Sequence, residues 1–148
     1  MKLISKILFL FSLLFLQACH IECGDCFTPP ASFAFEFVDK VSEENLFANG
    51  TYDSSDIEII NLADSTQVEF FFISENGYNI IETNSIGWKT EIVNYSFNVS
   101  TQHIFNFHVD AERLSDNCCS YTVYNTIKIT DAEFIIDNRS GIYKILIE

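Results

Sequence analysis

The sequence predicts an all-β domain, an antiparallel β-sandwich of about seven to nine short strands. Apolar residues alternate with other residues in several runs, beginning with Phe33, Phe35 and Phe37. Aromatic residues make up 15% of the chain, and turn signals such as Asn76-Gly77 separate the runs. Alternation places every second side chain on one face of a strand, and regularly spaced short strands are typical of immunoglobulin-like or transthyretin-like sandwiches. A closed barrel is the alternative.

The first strand is predicted over residues 33–38, with its three phenylalanines facing the core. Residues 39–56 then form a connector. Within it, Ser42 is placed to cap a single helical turn over residues 42–45, and Asn49-Gly50 indicates a turn.

The next strands are predicted near residues 57–61, 67–74 and 78–82. Asn76-Gly77 joins the last two as a hairpin, because both residues tolerate a positive φ. The run from Phe70 to Ile73 is apolar on both faces, so it predicts a central strand.

Four further segments complete the predicted sandwich: residues 92–99, 103–111 and 121–129, and a hairpin of 134–136 with 142–147 across the turn 137–141. The residues predicted to face inward in the first three segments are Val93, Tyr95, Phe97, Val99, Phe105, Phe107, Val109, Tyr121, Val123, Ile127 and Ile129.

Residues 1–18 have the layout of a secretory signal helix that is removed from the mature protein. Lys2 and Lys6 precede an apolar run over 7–16, and the small residue Ala18 stands just before Cys19. The run is shorter than the ~20 apolar residues of a transmembrane helix. In an ordinary signal peptide of this kind, Cys19 would be a plain cysteine.

The ending Leu16-Gln17-Ala18-Cys19 resembles the lipobox of bacterial lipoproteins. Together with the C-x-x-C-F-T-P-P segment that starts at Cys23 and the β-rich remainder, it is similar to small bacterial lipoproteins of unknown function. The resemblance implies that the Cys19 thiol carries a diacylglycerol, that fatty acids such as palmitate anchor the chain, and that it resides in the cell envelope, at the outer membrane. It divides the chain into a signal peptide (1–18), a lipid-anchored tether (19–32) and the sandwich domain (33–148).

The charge of the chain argues against two classes of partner. Removal of residues 1–18 takes away two lysines and no acid, which brings the formal charge from −13 to −15. Such a surface repels nucleic acid and anionic membrane lipids. We therefore expect membrane attachment through the lipid at Cys19, and no nucleic-acid partner.

Four cysteines remain for disulfides: Cys23, Cys26, Cys118 and Cys119. Export places them in an oxidising compartment, and four cysteines allow three pairings. A bond between adjacent Cys118 and Cys119 is strained. Otherwise both pair with Cys23 and Cys26, or one bridge forms and two thiols stay free.

Other chemistries fit these residues less well. Cys23 and Cys26 have redox C-x-x-C spacing, but no βαβ pattern surrounds them. The four thiols lack the second knuckle of a zinc site. Asp53 and Asp56 are weak calcium candidates without EF-hand spacing. His20 lies beside the anchor, and His103 and His108, five residues apart, are predicted to point to opposite faces.

No catalytic motif that we recognise occurs in the sequence, so we predict a non-catalytic, lipid-anchored envelope protein without a cofactor. Its sandwich would serve binding or structural work, with an envelope protein or a glycan as partner. The alternative is an envelope enzyme or thiol-dependent accessory factor that uses Cys23 and Cys26.

Overall fold

Two five-stranded sheets pack face to face in the computed structural model, which describes residues 26–116 and 119–148. The all-β sandwich predicted from the sequence is confirmed in this part of the chain, which has ten strands where seven to nine were predicted. The predicted signal helix lies outside it. The strands are β1 Phe33–Asp39, β2 Ile57–Asn61, β3 Thr66–Gln67, β4 Phe71–Ile73, β5 Ile80–Thr83, β6 Glu91–Val99, β7 Gln102–Asp116, β8 Cys119–Thr130, β9 Glu133–Ile136 and β10 Tyr143–Ile147. A 3-10 turn at Ser54–Asp56 precedes β2.

The first sheet has the order β4-β5-β1-β10-β9, and the second has the order β3-β2-β6-β7-β8. Neighbouring strands are antiparallel except β1 and β10, which run parallel, with Phe35 beside Tyr143 and Asp39 beside Ile147. The sequence predicted antiparallel pairing throughout. The parallel pair forms because the first and last strands of the domain enter the middle of the same sheet from the same end.

Phenylalanine rings fill the space between the sheets. Phe35 from β1 lies 4.8 Å from Phe97 and 5.0 Å from Phe107, measured between ring centroids. Phe97 stacks on Phe105 at 4.3 Å, and all four rings are fully buried. Burying one such side chain contributes about 1.5–3 kcal/mol, so this layer is a large stabilising contact between the sheets. The inward positions predicted for β1, β6 and β7 are confirmed.

The prediction of a central strand over residues 67–74 is wrong. This segment divides into β3 in the second sheet and β4 at the edge of the first. Phe70 and Phe72 pack against the core, whereas Phe71 is 58% exposed. As the segment crosses between the sheets, Val68, Phe70 and Phe72 cover the side of the core, and nothing in the structure explains the apolar residue at the exposed position 71.

A bulge in β8 moves two predicted core residues to the outer face. Asp110 pairs with Thr126 and Ala111 with Tyr124, so Asn125 is the extra residue. An extra residue inverts the alternation. Ile129 therefore packs against the core as predicted, and Ile127, opposite Val109, lies on the same face but is 39% exposed, whereas Tyr121 and Val123 lie on the outer face.

A second bulge corrects the prediction for the histidines. Phe97 pairs with Phe105 and Asn98 with His103, so Ile104 is the extra residue in β7. His103 and His108 consequently lie on the same outer face of the second sheet and not on opposite faces.

The connector after β1 forms turns where a helical turn was predicted. The carboxylate of Asp39 accepts hydrogen bonds from the amides of Val41 (3.0 Å) and Ser42 (2.7 Å), and Glu43 has a φ of 61°. A positive φ at Glu43 is incompatible with a right-handed helical turn. These bonds, led by that from the Ser42 amide, lower the pKa of Asp39 below its usual value.

The hairpin predicted at Asn76-Gly77 is confirmed. Both residues have a positive φ, 54° and 82°, and the amide of Tyr78 donates to the carbonyl of Glu75 at 2.9 Å. This geometry matches the two-residue turns that join antiparallel strands, here β4 and β5.

Replacing Phe35 by alanine should lower the free energy of unfolding by about 3–5 kcal/mol, because it leaves a cavity between the sheets. Phe71→Ala is the matched control at an exposed position and should cost less than about 1 kcal/mol. Urea unfolding measures both. Equal losses would contradict the edge position of β4.

Asp39→Asn should destabilise the protein in a pH-dependent way. The pKa of Asp39 is lowered in the folded state, so its ionised form adds stability that is complete above the unfolded pKa near 3.8 and is lost as pH falls through the lower folded pKa. Unfolding curves from pH 6 to pH 2 should show the difference from the native protein shrinking below about pH 4. A difference that stays constant over this range would refute the role of the charged carboxylate.

Candidate functional site

A disulfide between Cys26 and Cys119 joins the start of the described chain to the start of β8. The two sulfurs are bonded across a sequence separation of 93, with the Cα atoms 4.6 Å apart. This bridge realises one of the predicted pairings and excludes bonds between Cys26 and Cys23 and between Cys119 and Cys118. Cys19, Cys23 and Cys118 lie outside the described residues.

The bridge holds residues 26–28 alongside the edge of β8. The amide of Thr28 donates to the carbonyl of Ser120 at 3.0 Å, and the amide of Ser120 donates to the carbonyl of Cys26 at 3.3 Å. Phe27 and Ser120 form a parallel bridge. The described portion of the predicted tether therefore begins bound to the sandwich, next to the disulfide.

Arg113 reinforces this junction from β7. Its guanidinium donates to the carbonyl of Thr28 (2.9 Å) and to the hydroxyls of Thr122 (2.8 Å) and Ser120 (2.9 Å). Its Cζ atom also lies 5.0 Å from the centre of the Phe27 ring, within the range of a cation–π contact. Sequence reasoning did not identify Arg113 as a site residue. Its position two residues after the inward-facing Ala111, on the same face of the strand, was the available signal.

Two exposed aromatic rings stack beside the disulfide. Phe27 and Trp88 have centroids 5.9 Å apart and planes inclined by 25°, and they are 56% and 53% exposed. The indole N–H of Trp88 donates to the carbonyl of Asn84 at 2.7 Å. The two rings together are called the Phe27–Trp88 pair below, and the end of the sandwich that carries them is called the disulfide end.

Gly87 sets the position of Trp88. Its φ is +93°, and a Cβ atom there would lie 2.8 Å from Cγ2 of Thr122. Thr122 cannot rotate away without cost, because its hydroxyl donates to the Gly87 carbonyl at 2.7 Å and accepts from Arg113. The loop before β6 is thus held tightly against β8.

The opposite end of the sandwich has a charged cleft of about 480 Å³. Lys40 lies in it with its Nζ atom 2.9 Å from Glu148 and 3.0 Å from Glu133. The bonds to Glu148 and then Glu133 raise the pKa of Lys40, and the bond from Lys40 lowers the pKa of Glu148. These ion pairs are exposed to water and contribute little to stability.

His103 lines the same cleft. Its Nδ1 lies 3.0 Å from the Ser96 hydroxyl, and its Nε2 lies 3.5 Å from the carboxylate of Asp131. The Asn106 amide also donates to Asp131, at 2.6 Å. Because carboxylates outnumber cationic side chains in this cleft, it suits a positively charged group better than an anion.

The calcium candidates have local structural partners. Asp53 accepts from the amide (2.9 Å) and hydroxyl (2.8 Å) of Ser55, which lowers the pKa of Asp53, the amide bond contributing most. Asp56 accepts from the Ser100 hydroxyl at 2.7 Å. Among residues 26–116 and 119–148, no group of three or more histidine, cysteine or acidic side chains is placed to hold a metal ion. His20 lies outside the described residues.

Comparison with protein-family models, with curated proteins and with solved structures finds no match to this chain. Within the part of the chain that the structure covers, no helix has the length and apolar character needed to cross a bilayer.

Removing all four candidate disulfide cysteines by alanine substitution should lower the free energy of unfolding by about 4–5 kcal/mol, because it frees a loop of some ninety residues in the unfolded chain. Removing only Cys26 and Cys119 should cost less if Cys23 and Cys118 close nearly the same loop. Urea unfolding without reductant measures both losses.

Thiol titration of the denatured double variant is the accompanying control. If the chain forms two bridges, Cys23 and Cys118 are the remaining pair and no free thiol is expected. Two titratable thiols would show that Cys26–Cys119 is the single bridge of this group.

Proposed function

We propose that this protein is a lipid-anchored component of the cell envelope whose β-sandwich does non-catalytic binding or structural work. The Cys26–Cys119 disulfide carries the proposal. Disulfides form and persist in oxidising compartments and are rare in the cytosol. The bridge therefore supports export, which the signal-like residues 1–18 and the lipobox-like ending at Cys19 predict.

The position of the bridge suits an anchored protein. Cys26 follows Cys19 by only seven positions, and Cys26 is tied covalently to β8 and by Arg113 through Thr28. A pull on the lipid is thus transmitted to β8, the edge strand of the second sheet, and through Arg113 to its neighbour β7. Two or three acyl chains, at about 0.8 kcal/mol per buried methylene, hold such a protein durably on a membrane.

The proposed partner is an envelope protein or a glycan, and the proposed location is the outer membrane. The formal charge of −15 left after removal of residues 1–18 disfavours nucleic acid. Cys26 is bonded to Cys119, so it does not form the Cys23–Cys26 dithiol pair that a thiol-dependent factor would use. Asp39, Asp53 and Asp137 each hold a turn through hydrogen bonds to nearby residues, which accounts for part of the acidic composition without a catalytic role.

Cys19→Ala should move the protein from the membrane fraction to the soluble fraction, because it removes the acceptor of the lipid. Intact mass of the native mature protein should show an N-terminal Cys19 bearing diacylglycerol and fatty acid. Cys23→Ala is the matched control: it lies four positions away and should keep the lipid mass and the membrane association. An unmodified Cys19 in mature protein would refute the anchor.

Turnover of an envelope substrate by the purified protein would refute the non-catalytic part of the proposal. The decisive comparison is a double variant with Cys23 and Cys26 replaced by serine. Activity abolished with the fold intact would assign the function to these thiols, whereas reduced stability alone is the result expected for structural cysteines.

A further inference from the structure

The geometry points to a membrane-facing surface: we propose that the disulfide end of the sandwich rests on the bilayer and that the Phe27–Trp88 pair lies among the lipid headgroups. The inference rests on the proposed lipid anchor at Cys19 and adds to it an orientation of the domain and a second contact with lipid.

The length of chain before the disulfide sets the distance to the membrane. Seven residue steps separate Cys19 from Cys26, and an extended chain spans at most ~3.3–3.6 Å per residue, so Cys26 lies within about 25 Å of the lipid. Cys26 is fixed at the start of β8 by its bond to Cys119. The Phe27–Trp88 pair is adjacent to this point and comes within reach of the surface.

The opposite end of the sandwich is too far from Cys26 for the segment that starts at Cys19 to hold that end against the bilayer. β7 runs from His103 in the charged cleft to Arg113 at the disulfide end and continues to Asp116. Its fifteen residues, at ~3.3 Å each, cover roughly 50 Å, about twice the reach of the segment from Cys19. The anchor thus selects the disulfide end as the one that meets the bilayer.

The chemistry of the pair suits the interface between water and lipid. Tryptophan is enriched at this depth because its ring is largely apolar and its N–H needs a partner. In Trp88 that N–H is already bonded to Asn84, so the exposed remainder of the ring can enter the headgroup region without losing a hydrogen bond. The ring of Phe27, 56% exposed, widens this apolar contact.

The pair is also rigid before it meets lipid. Arg113 contacts the Phe27 ring from β7, and Gly87 is locked against Thr122 beneath Trp88. A contact surface that is already ordered loses less conformational entropy on binding. A small patch of two rings can therefore serve as an auxiliary contact, because the lipid already keeps the protein at the membrane.

Charge distinguishes the two ends only weakly. Lys89, with 78% of its side chain exposed, and Arg113 lie at the disulfide end together with Asp116, which is opposite Cys119, whereas Asp131, Glu133 and Glu148 line the opposite cleft around Lys40. Glu91 lies 3.9 Å from Lys89, so the disulfide end is not strongly cationic. Apolar contact therefore holds this end on the bilayer, and the carboxylates of the cleft point away from lipid phosphates.

The test uses Trp88 as a probe, since it is the single tryptophan of the chain. The purified, lipidated full-length mature protein is placed in phosphatidylcholine vesicles whose acyl chains carry bromine near the headgroup. We expect the emission of Trp88 to shift to shorter wavelength and to be quenched several-fold more than in vesicles without bromine. Intact mass of the same sample reports whether Cys19 carries lipid.

A matched variant moves the tryptophan to the other end of the sandwich. Trp88→Phe combined with Tyr78→Trp keeps the anchor and places the indole at an exposed position in the β4–β5 turn, at the opposite end of β5 from Thr83. Its emission should be the same with and without bromine.

The possible results distinguish failure of the membrane-facing surface from failure of the lipid anchor. Lipidated protein with an unquenched Trp88, or with equal quenching at both positions, would overturn the membrane-facing surface and leave the lipid anchor standing. Mature protein without lipid on Cys19 would overturn the anchor and the inference together. Quenching confined to Trp88 supports both.

Discussion

The packing of phenylalanine rings between the two sheets is the interaction on which the rest of this structure depends. Phe35 reaches from the middle of the first sheet to Phe97, Phe105 and Phe107 of the second, and these rings are shielded from water. Because this layer belongs to a cluster of buried apolar residues from both sheets, the edges and ends of the sandwich are left for other tasks. Turns, charged side chains and exposed rings lie there at little cost to stability.

The two ends differ in chemistry, and the difference follows from where the chain enters. At the disulfide end, Cys26 and Arg113 fix residues 26–28 to the second sheet, and aromatic rings lie exposed beside them. At the opposite end, Lys40 and His103 lie among carboxylates in a shallow cleft. A lipid at Cys19 would place the first end near the membrane and present the second to the surrounding space, where a partner would meet it.

Strand alternation was predictable wherever a strand is regular. The inward phenylalanines of β1, β6 and β7 and the Asn76-Gly77 hairpin were correctly placed, because they depend on local periodicity and on φ preferences. Prediction failed at Ile104 and Asn125, where single extra residues invert the alternation and relocate His103, Tyr121 and Val123. It also failed at Phe71, since an apolar run does not distinguish a central strand from a segment that crosses between sheets.

By itself, the sequence determined the β class, the phenylalanines of the core and the small set of cysteines available for bridges. The export signal and the lipid at Cys19 stay predictions from the same source. Only the tertiary structure decided that Cys26 pairs with Cys119, that β1 lies parallel to β10, and that Arg113 meets Phe27. The physical reason is distance along the chain. Periodicity is a property of neighbouring residues, whereas these contacts join residues more than eighty positions apart, and which of them form depends on how the whole core packs.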